Sequence, residues 1–395
     1  MQKIKLILLL SIIFLSSGCY NYRELNELAI ISAIGIDKTE DGYKITVQVM
    51  NTKKNGQDTN SSGQQPEFVT YTAEGKTIQK MLRNVVLESP RRLYVTHMQL
   101  LIIGEDLAKE GIHDILDWFA RDPESRKQFY ILISKNNQTK EILNTITTLE
   151  TLNSKKISDN IETDSKFLGI SEKTTFEEVL GTYMNDKQEI ILPTIEVEGN
   201  TEIGEENENI ERSSPEAKIK LAPMAVFKED KMLGYLTKEE ALAMNFIKNK
   251  IDATIIEYQC ENGKYIASEI IESKTKLEPD TSGEKPKLTI NIKGKANINE
   301  ITCDWNLEDD ETIKKIEKML EDEVKTIIND SMTNINQKYN TDIYGFEDLF
   351  YKADPKYYKT IKDKWKIGNY NDLDVKIKVN ITLPEKGTIL KVIKR

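Results

Sequence analysis

The sequence is most telling at Met98-Gln99-Leu100-Leu101-Ile102-Ile103-Gly104, followed at once by Glu105-Asp106-Leu107-Ala108. Four consecutive large aliphatic residues bounded by a glycine suit a short strand buried on both faces. Behind it Leu107, Ile112, Ile115, Leu116 and Phe119 mark a helix, and Phe129 to Ile133 makes a second strand. Strand, helix and strand at such short intervals predict an α/β layer.

Upstream, the apolar run from Leu28 to Ile36 meets a turn at Asp41-Gly42. Tyr43, Ile45, Val47 and Val49 follow at period two, so a β-hairpin is expected. Residues 53–66 are polar and rich in Gly and Ser, which predicts a mobile loop. Phe68 to Tyr71 resumes a strand, and Ile78, Met81, Leu82, Val85 and Val86 share one helical face. Downstream, Thr175-Phe176-Glu177-Glu178 reads as a capping box opening a helix, and Glu189 to Val197 returns to strand.

Residues 198–217 are acidic and polar with few apolar side chains, and mark an expected linker. Beyond them Pro223 to Phe227 and Met232 to Leu236 are strands, and Thr237 caps a helix to about Lys248. Further strands fall around 252–260, 264–276 and 288–298. Asp309, Asp310 and Glu311 open the longest helix, where negative charge meets the positive end of the dipole. Ile313, Ile316, Leu320, Val324, Ile327, Ile328 and Ile335 form its apolar stripe, and Val375 to Leu383 is a late period-two strand. The expected fold class is α/β (α+β), with several domains and one long amphipathic helix in the C-terminal half. The division is 1–18 leader, 19–27 tether, 28–197 N-terminal domain, 198–217 acidic linker and 218–395 C-terminal domain.

The leader is the most informative short segment. Lys3 and Lys5 precede an apolar run from Leu6 to Leu15. Ten residues cover only about 15 Å as a helix, half of a hydrocarbon core, so a signal peptide fits better than a span. Leu15-Ser16-Ser17-Gly18-Cys19 then resembles the bacterial lipobox, in which the thiol of Cys19 receives a diacylglyceryl group. Ser16 departs from that pattern, which usually has an aliphatic residue three before the cysteine. Two acyl chains give stable anchoring where one is marginal. The expected location is therefore the outer face of a bacterial membrane.

Hydrophobic residues at 38% and charged residues at 30% describe a well-hydrated globular chain. Its formal net charge of −10 leaves no electrostatic footprint for nucleic acid, and suggests no polybasic second anchor on anionic lipid. Besides Cys19 there are Cys260 and Cys303, both near expected strands; the reading favours two buried free thiols over a disulfide. Only His97 and His113 exist, neither at metal-ligand spacing. His97 opens the buried strand and reads as structural. No nucleophile elbow, phosphate loop or dinucleotide fingerprint occurs, so neither an enzyme nor a cofactor is expected.

Four segments together resemble the Ger(x)C family, the lipoprotein C subunits of nutrient germinant receptors in endospore-forming bacteria. The first is Gly18-Cys19-Tyr20-Asn21-Tyr22-Arg23-Glu24-Leu25, continuing through Ala29-Ile30 to Gly35-Ile36-Asp37. The family usually has Trp-Asp after the cysteine, where this chain has Tyr20-Asn21. The second runs from His97 through Gly104-Glu105-Asp106-Leu107-Ala108 and Gly111-Ile112 to Leu116-Asp117-Trp118-Phe119-Ala120-Arg121-Asp122. The third is Ala225 to Leu236, and the fourth is Asp342-Ile343-Tyr344-Gly345-Phe346 with Trp365.

The resemblance implies mixed sheets with packed helices. It also implies two integral-membrane partners, an A and a B subunit, in a receptor of the inner spore membrane that starts germination. The expected role is that of a non-enzymatic, lipid-anchored receptor subunit. The alternative is a substrate-binding lipoprotein serving an importer, which needs two similar lobes around a hinge. Arg23, Glu24 and Leu25 lie close to the anchor and are candidate membrane-proximal contacts.

Overall fold

The computed structural model describes residues 27–51, 67–366 and 373–385. The polar stretch 53–66 lies outside the described residues. Thirteen strands are described, in two sheets. In the first, β1 (Leu28–Thr39) and β2 (Gly42–Met50) form the expected hairpin, and β3 (Phe68–Gly75) adds to its outer edge. The short β4 (Arg92–Tyr94) lies beside the start of β1. β5 (Leu100–Gly104), β6 (Tyr130–Ser134) and β7 (Ile191–Gly199) continue the sheet in parallel with β1. β8 (Ala217–Lys228) and β9 (Lys231–Tyr235) close it in antiparallel fashion. The order is β3-β2-β1-β5-β6-β7-β8-β9.

Side-chain alternation along β5 explains why the sheet is covered twice. Leu101 and Ile103 join the core under α1 (Ile78–Asn84), α2 (Glu105–Glu110) and α3 (His113–Arg121). Leu100 and Ile102 face the other way, into the core of α4 (Thr139–Asn144) and α5 (Asn153–Phe167). α6 (Phe176–Met184), opened by the capping box at Thr175, returns to the first side. Burying each such side chain contributes roughly 1.5–3 kcal/mol, so both covers are needed.

Three local expectations change. The helix expected from Leu107 to Phe119 is two helices, because Gly111 adopts φ +145° and breaks the ladder. His97 is exposed in a short turn before β5, with its ring 6.0 Å from that of Tyr94, rather than inside the strand. The regular helix over 78–86 ends at Asn84, and Val86 lies exposed in a tighter turn.

The acidic stretch 198–217 contains α7 (Thr201–Gly204) and α8 (Glu208–Glu211) and folds back on the first sheet. Asn209 is buried there and accepts from and donates to Ala217. Consequently β7 and β8, on its two sides, pair with each other. α9 (Lys238–Ile247), capped by Thr237, is the seam that follows. Every residue from Glu240 to Ile247 is buried. Ala241 and Met244 pack with the end of the first sheet, while Leu242, Ala243 and Phe246 pack with the second.

The second sheet is β10 (Thr254–Glu261), β11 (Lys264–Asp280), β12 (Lys287–Ile301) and β13. Its inner face is covered by α10 (Asp310–Tyr339), α11 (Phe346–Ala353) and α12 (Pro355–Lys366), after which β13 (Asp374–Glu385) pairs in parallel with β12. Asp309 caps α10 by accepting from the N–H groups of Glu311 and Thr312, at 3.2 and 3.3 Å. The apolar stripe of α10 is buried except Ile327, which is partly so.

Cys260 and Cys303 are disulfide-bonded, with Cα atoms 6.5 Å apart, and not free thiols. Tyr265 explains the pairing: it sits opposite Gln259 on β10, and its carbonyl accepts the Thr302 N–H. Strand register therefore delivers both cysteines to one place, something their sequence separation of 43 does not show.

Candidate functional site

Cys19, Arg23, Glu24 and Leu25 lie outside the described residues. The first strand to follow them, β1, runs between β2 and β5, with β4 against its start. The expected tether thus leads into the interior of the first sheet and not to a loose edge.

At the far end of β1 the carboxyl ends of β1, β5 and β6 open into a polar cleft, the usual place for a site in such sheets. Asp37 is its deepest group. Its carboxylate accepts the Thr139 N–H at 3.1 Å and the Thr139 hydroxyl at 2.6 Å. Burial pushes this carboxyl up, and the Thr139 hydrogen bonds offset that only in part. Gly104 makes the approach possible, since a Cβ there would stand 2.5 Å from Asp37 Oδ1. At the rim, burial pushes the Glu105 carboxyl up, but Lys109, ion-paired to it at 2.7 Å, and the Asn136 N–H, donating at 3.3 Å, hold it below the usual range. Asp37 therefore locks β1 to the start of α4, and Glu105 joins α2 to the loop after β6.

The second and third segments singled out in the sequence meet at Asp230. Its carbonyl accepts the Ile112 N–H at 3.0 Å, and its carboxylate accepts the His113 N–H at 3.3 Å. Gly111 must be glycine here: beyond its φ, a Cβ would stand 2.5 Å from Asp230 Oδ2. His113 Nδ1 lies 2.8 Å from the Tyr183 hydroxyl, which carries the contact on to α6. Both histidines thus sit at surface contacts. Among the described residues no group of three or more His, Cys, Asp or Glu side chains could hold a metal ion.

The third and fourth segments meet at the seam. Tyr339, at the end of α10, donates its hydroxyl to the Tyr235 carbonyl at 2.6 Å, and its ring fills the space above Gly234. Asp342, buried, accepts the N–H groups of Tyr344, Gly345 and Glu347 at 3.1, 2.8 and 2.7 Å. Burial pushes its carboxyl up to about 6 despite those bonds. The Asp342 carbonyl accepts the Glu189 N–H at 3.2 Å, tying this turn to the start of β7. Trp365 packs into the second core beside Phe350, with ring centroids 5.4 Å apart.

Asp230 carries the first of these junctions, and Asp342 ties the fourth segment to the start of β7. Sequence reading placed both inside matching segments but assigned neither a role, because a carboxylate that accepts backbone N–H groups has no periodic signature. Among the described residues no helix is long and apolar enough to cross a membrane.

Comparison with known proteins adds the following. The family described as spore germination protein N-terminal domain matches residues 21–197. The family described as spore germination B3/GerAC like, C-terminal, matches residues 222–387. The chain is 29% identical to spore germination protein KC of Bacillus subtilis (strain 168), over 96% of this chain and 95% of that protein. It is 24% identical to spore germination protein B3 of the same strain, over 95% of both chains. A solved structure titled as the GerBC protein superposes with a TM-score of 0.57 at 18% identity, covering 89% of this chain and 97% of that one. That likeness shows a shared fold.

Proposed function

This chain belongs to the Ger(x)C family of spore germination proteins, and from that premise we propose that it is a non-catalytic, lipid-anchored subunit of a nutrient germinant receptor. The carrying observation is that both family domains match in order along one chain, together with relatives aligned over almost its whole length. The contacts at Asp230 and Asp342 support the reading, because each joins a residue in the part of the chain matched by the N-terminal family to one in the part matched by the C-terminal family.

In this reading Cys19 carries the lipid and holds the chain at the outer face of the inner spore membrane. Its partners are the integral-membrane A and B subunits of the same receptor, and Arg23, Glu24 and Leu25 are the residues nearest to them. The importer alternative finds no support in the fold: a nine-stranded sheet and a four-stranded sheet joined by α9 are not two similar lobes.

Deleting the gene in a sporulating host and measuring germination in single nutrients tests the proposal. Loss of response to one nutrient class is expected; normal germination in every nutrient, with defective uptake of one solute, removes it. Cys19→Ala moves the protein from the membrane to the soluble fraction if lipid holds it, and unchanged fractionation assigns the attachment to partner contacts. Alanine at Arg23 and Glu24 together tests their contact role, which an unaltered nutrient response eliminates.

A further inference from the structure

We infer that the open face of the second sheet is a docking surface for anionic phospholipid headgroups, and that it orients the tethered protein on the membrane. Net charge conceals this face, because its lysines come from three strands far apart in sequence. Lys274 and Lys276 on β11, Lys293 and Lys295 on β12, and Lys376 and Lys378 on β13 are all exposed. Pairing shows that they share one side. Lys276 stands opposite Asn291, which stands opposite Lys378, and Lys274 stands opposite Lys293. Glu272 and Glu278 are the acidic residues among them, ion-paired to Lys274, Lys295 and Lys276. At the strand ends Lys287 is offset by Asp280 and Asp374.

Three features favour a headgroup layer as the occupant. Lys274 stands directly opposite Lys293, and Glu272 pairs with Lys274 and Lys295 but not with Lys293, so a like-charge contact that works against sheet stability is only partly offset and points to a use outside the sheet. Of the exposed large apolar residues of this sheet, Ile255 and Tyr265 lie toward its other end and Ile271 stands alone at the patch's border beside Glu272, so the lysine patch lacks the cluster of buried anchors that a protein interface needs. Headgroups need no such anchor. Finally, the rest of the chain is acidic, so an anionic bilayer repels other faces and attracts this one. Tethering at Cys19, on which the membrane's proximity rests, raises the local lipid concentration enough for a modest attraction to set orientation.

The test uses the mature chain from Tyr20 onward, without leader or lipid. It is sedimented with vesicles of phosphatidylcholine containing one third phosphatidylglycerol, and with phosphatidylcholine alone. Binding is expected to the anionic vesicles only, and to weaken as salt shortens the screening length. Lys274→Gln, Lys293→Gln and Lys376→Gln combined lower affinity by on the order of a hundredfold, at roughly fivefold per lysine. The same change at Lys80, Lys166 and Lys218, exposed on the first half, leaves binding unaltered. Equal binding to both vesicle types, or no loss in the first triple variant, overturns the inference. So does capture of the patch by an acidic protein partner without vesicle binding. Vesicle binding is read without germination, so normal germination after gene deletion would remove the receptor role and leave this result standing.

Discussion

β5 and β12 are both central strands rich in Leu and Ile, yet they solve different problems. β5 places Leu100, Leu101, Ile102 and Ile103 in succession and is buried on both sides. β12 alternates Leu288, Ile290 and Ile292 with Thr289, Asn291 and Lys293, and is buried on one. A strand with two covered faces has no residue free to meet anything outside the molecule. The one-sided sheet keeps half of its side chains available, so the proposed docking surface falls on the second half, while the first half is a framework buried on both sides.

The largest expected effect tests whether the second sheet depends on its staple. Replacing Cys260 and Cys303 by alanine removes a cross-link over 43 residues, worth about 4 kcal/mol by the chain-entropy estimate. Urea unfolding of a Trp118→Phe background, in which Trp305 and Trp365 report the second half, should show the loss there. An unshifted midpoint would place the stability of this sheet in α10 alone. Next, Leu101→Ala should cost about 3 kcal/mol in chemical denaturation, because neither cover can collapse onto the gap without leaving the other. A cost near that of an exposed position would mean that β5 is not sandwiched.

The third prediction concerns pH. Asp342 has its folded carboxyl raised to about 6 from 3.8, so the native state binds the proton more tightly than the unfolded state. Its contribution is therefore greatest below about pH 4 and is lost as pH rises through about 6, by roughly 3 kcal/mol at most. Asp342→Asn should flatten that slope in the second half; an unchanged slope assigns it elsewhere. The smallest effect is expected at Lys293→Gln. Stability should move by no more than about 0.5 kcal/mol, toward greater stability because a like-charge pair is relieved. A large loss would show that the open face is structural after all.

Legibility in the sequence followed the same division. Continuous apolar runs and helical spacing revealed the α/β layer, because a strand covered twice must be apolar throughout. The alternation of β12 and β13 was equally plain. The return of β8 to the first sheet was not, since periodicity specifies which side of a strand is apolar and not which strand it joins. α5 was missed because its buried side includes Asn153, Ser154 and Asp164 beside Ile157 and Ile161, which blurs the stripe. Of the candidate site, the lipobox-like cysteine was readable from local residue types. The Asp230 and Asp342 junctions, the disulfide and the lysine patch all depend on register between distant segments.

α9 bears on how such chains diversify. Its two sides are committed to different cores through Ala241 and Met244 on one and Leu242, Ala243 and Phe246 on the other. A recombinant that takes its first half from one relative and its second from another must place the crossover before or after this helix, and either choice mismatches one packing set. The relatives are therefore expected to vary by matched substitution within each chain, with the two halves inherited together and not exchanged as interchangeable modules.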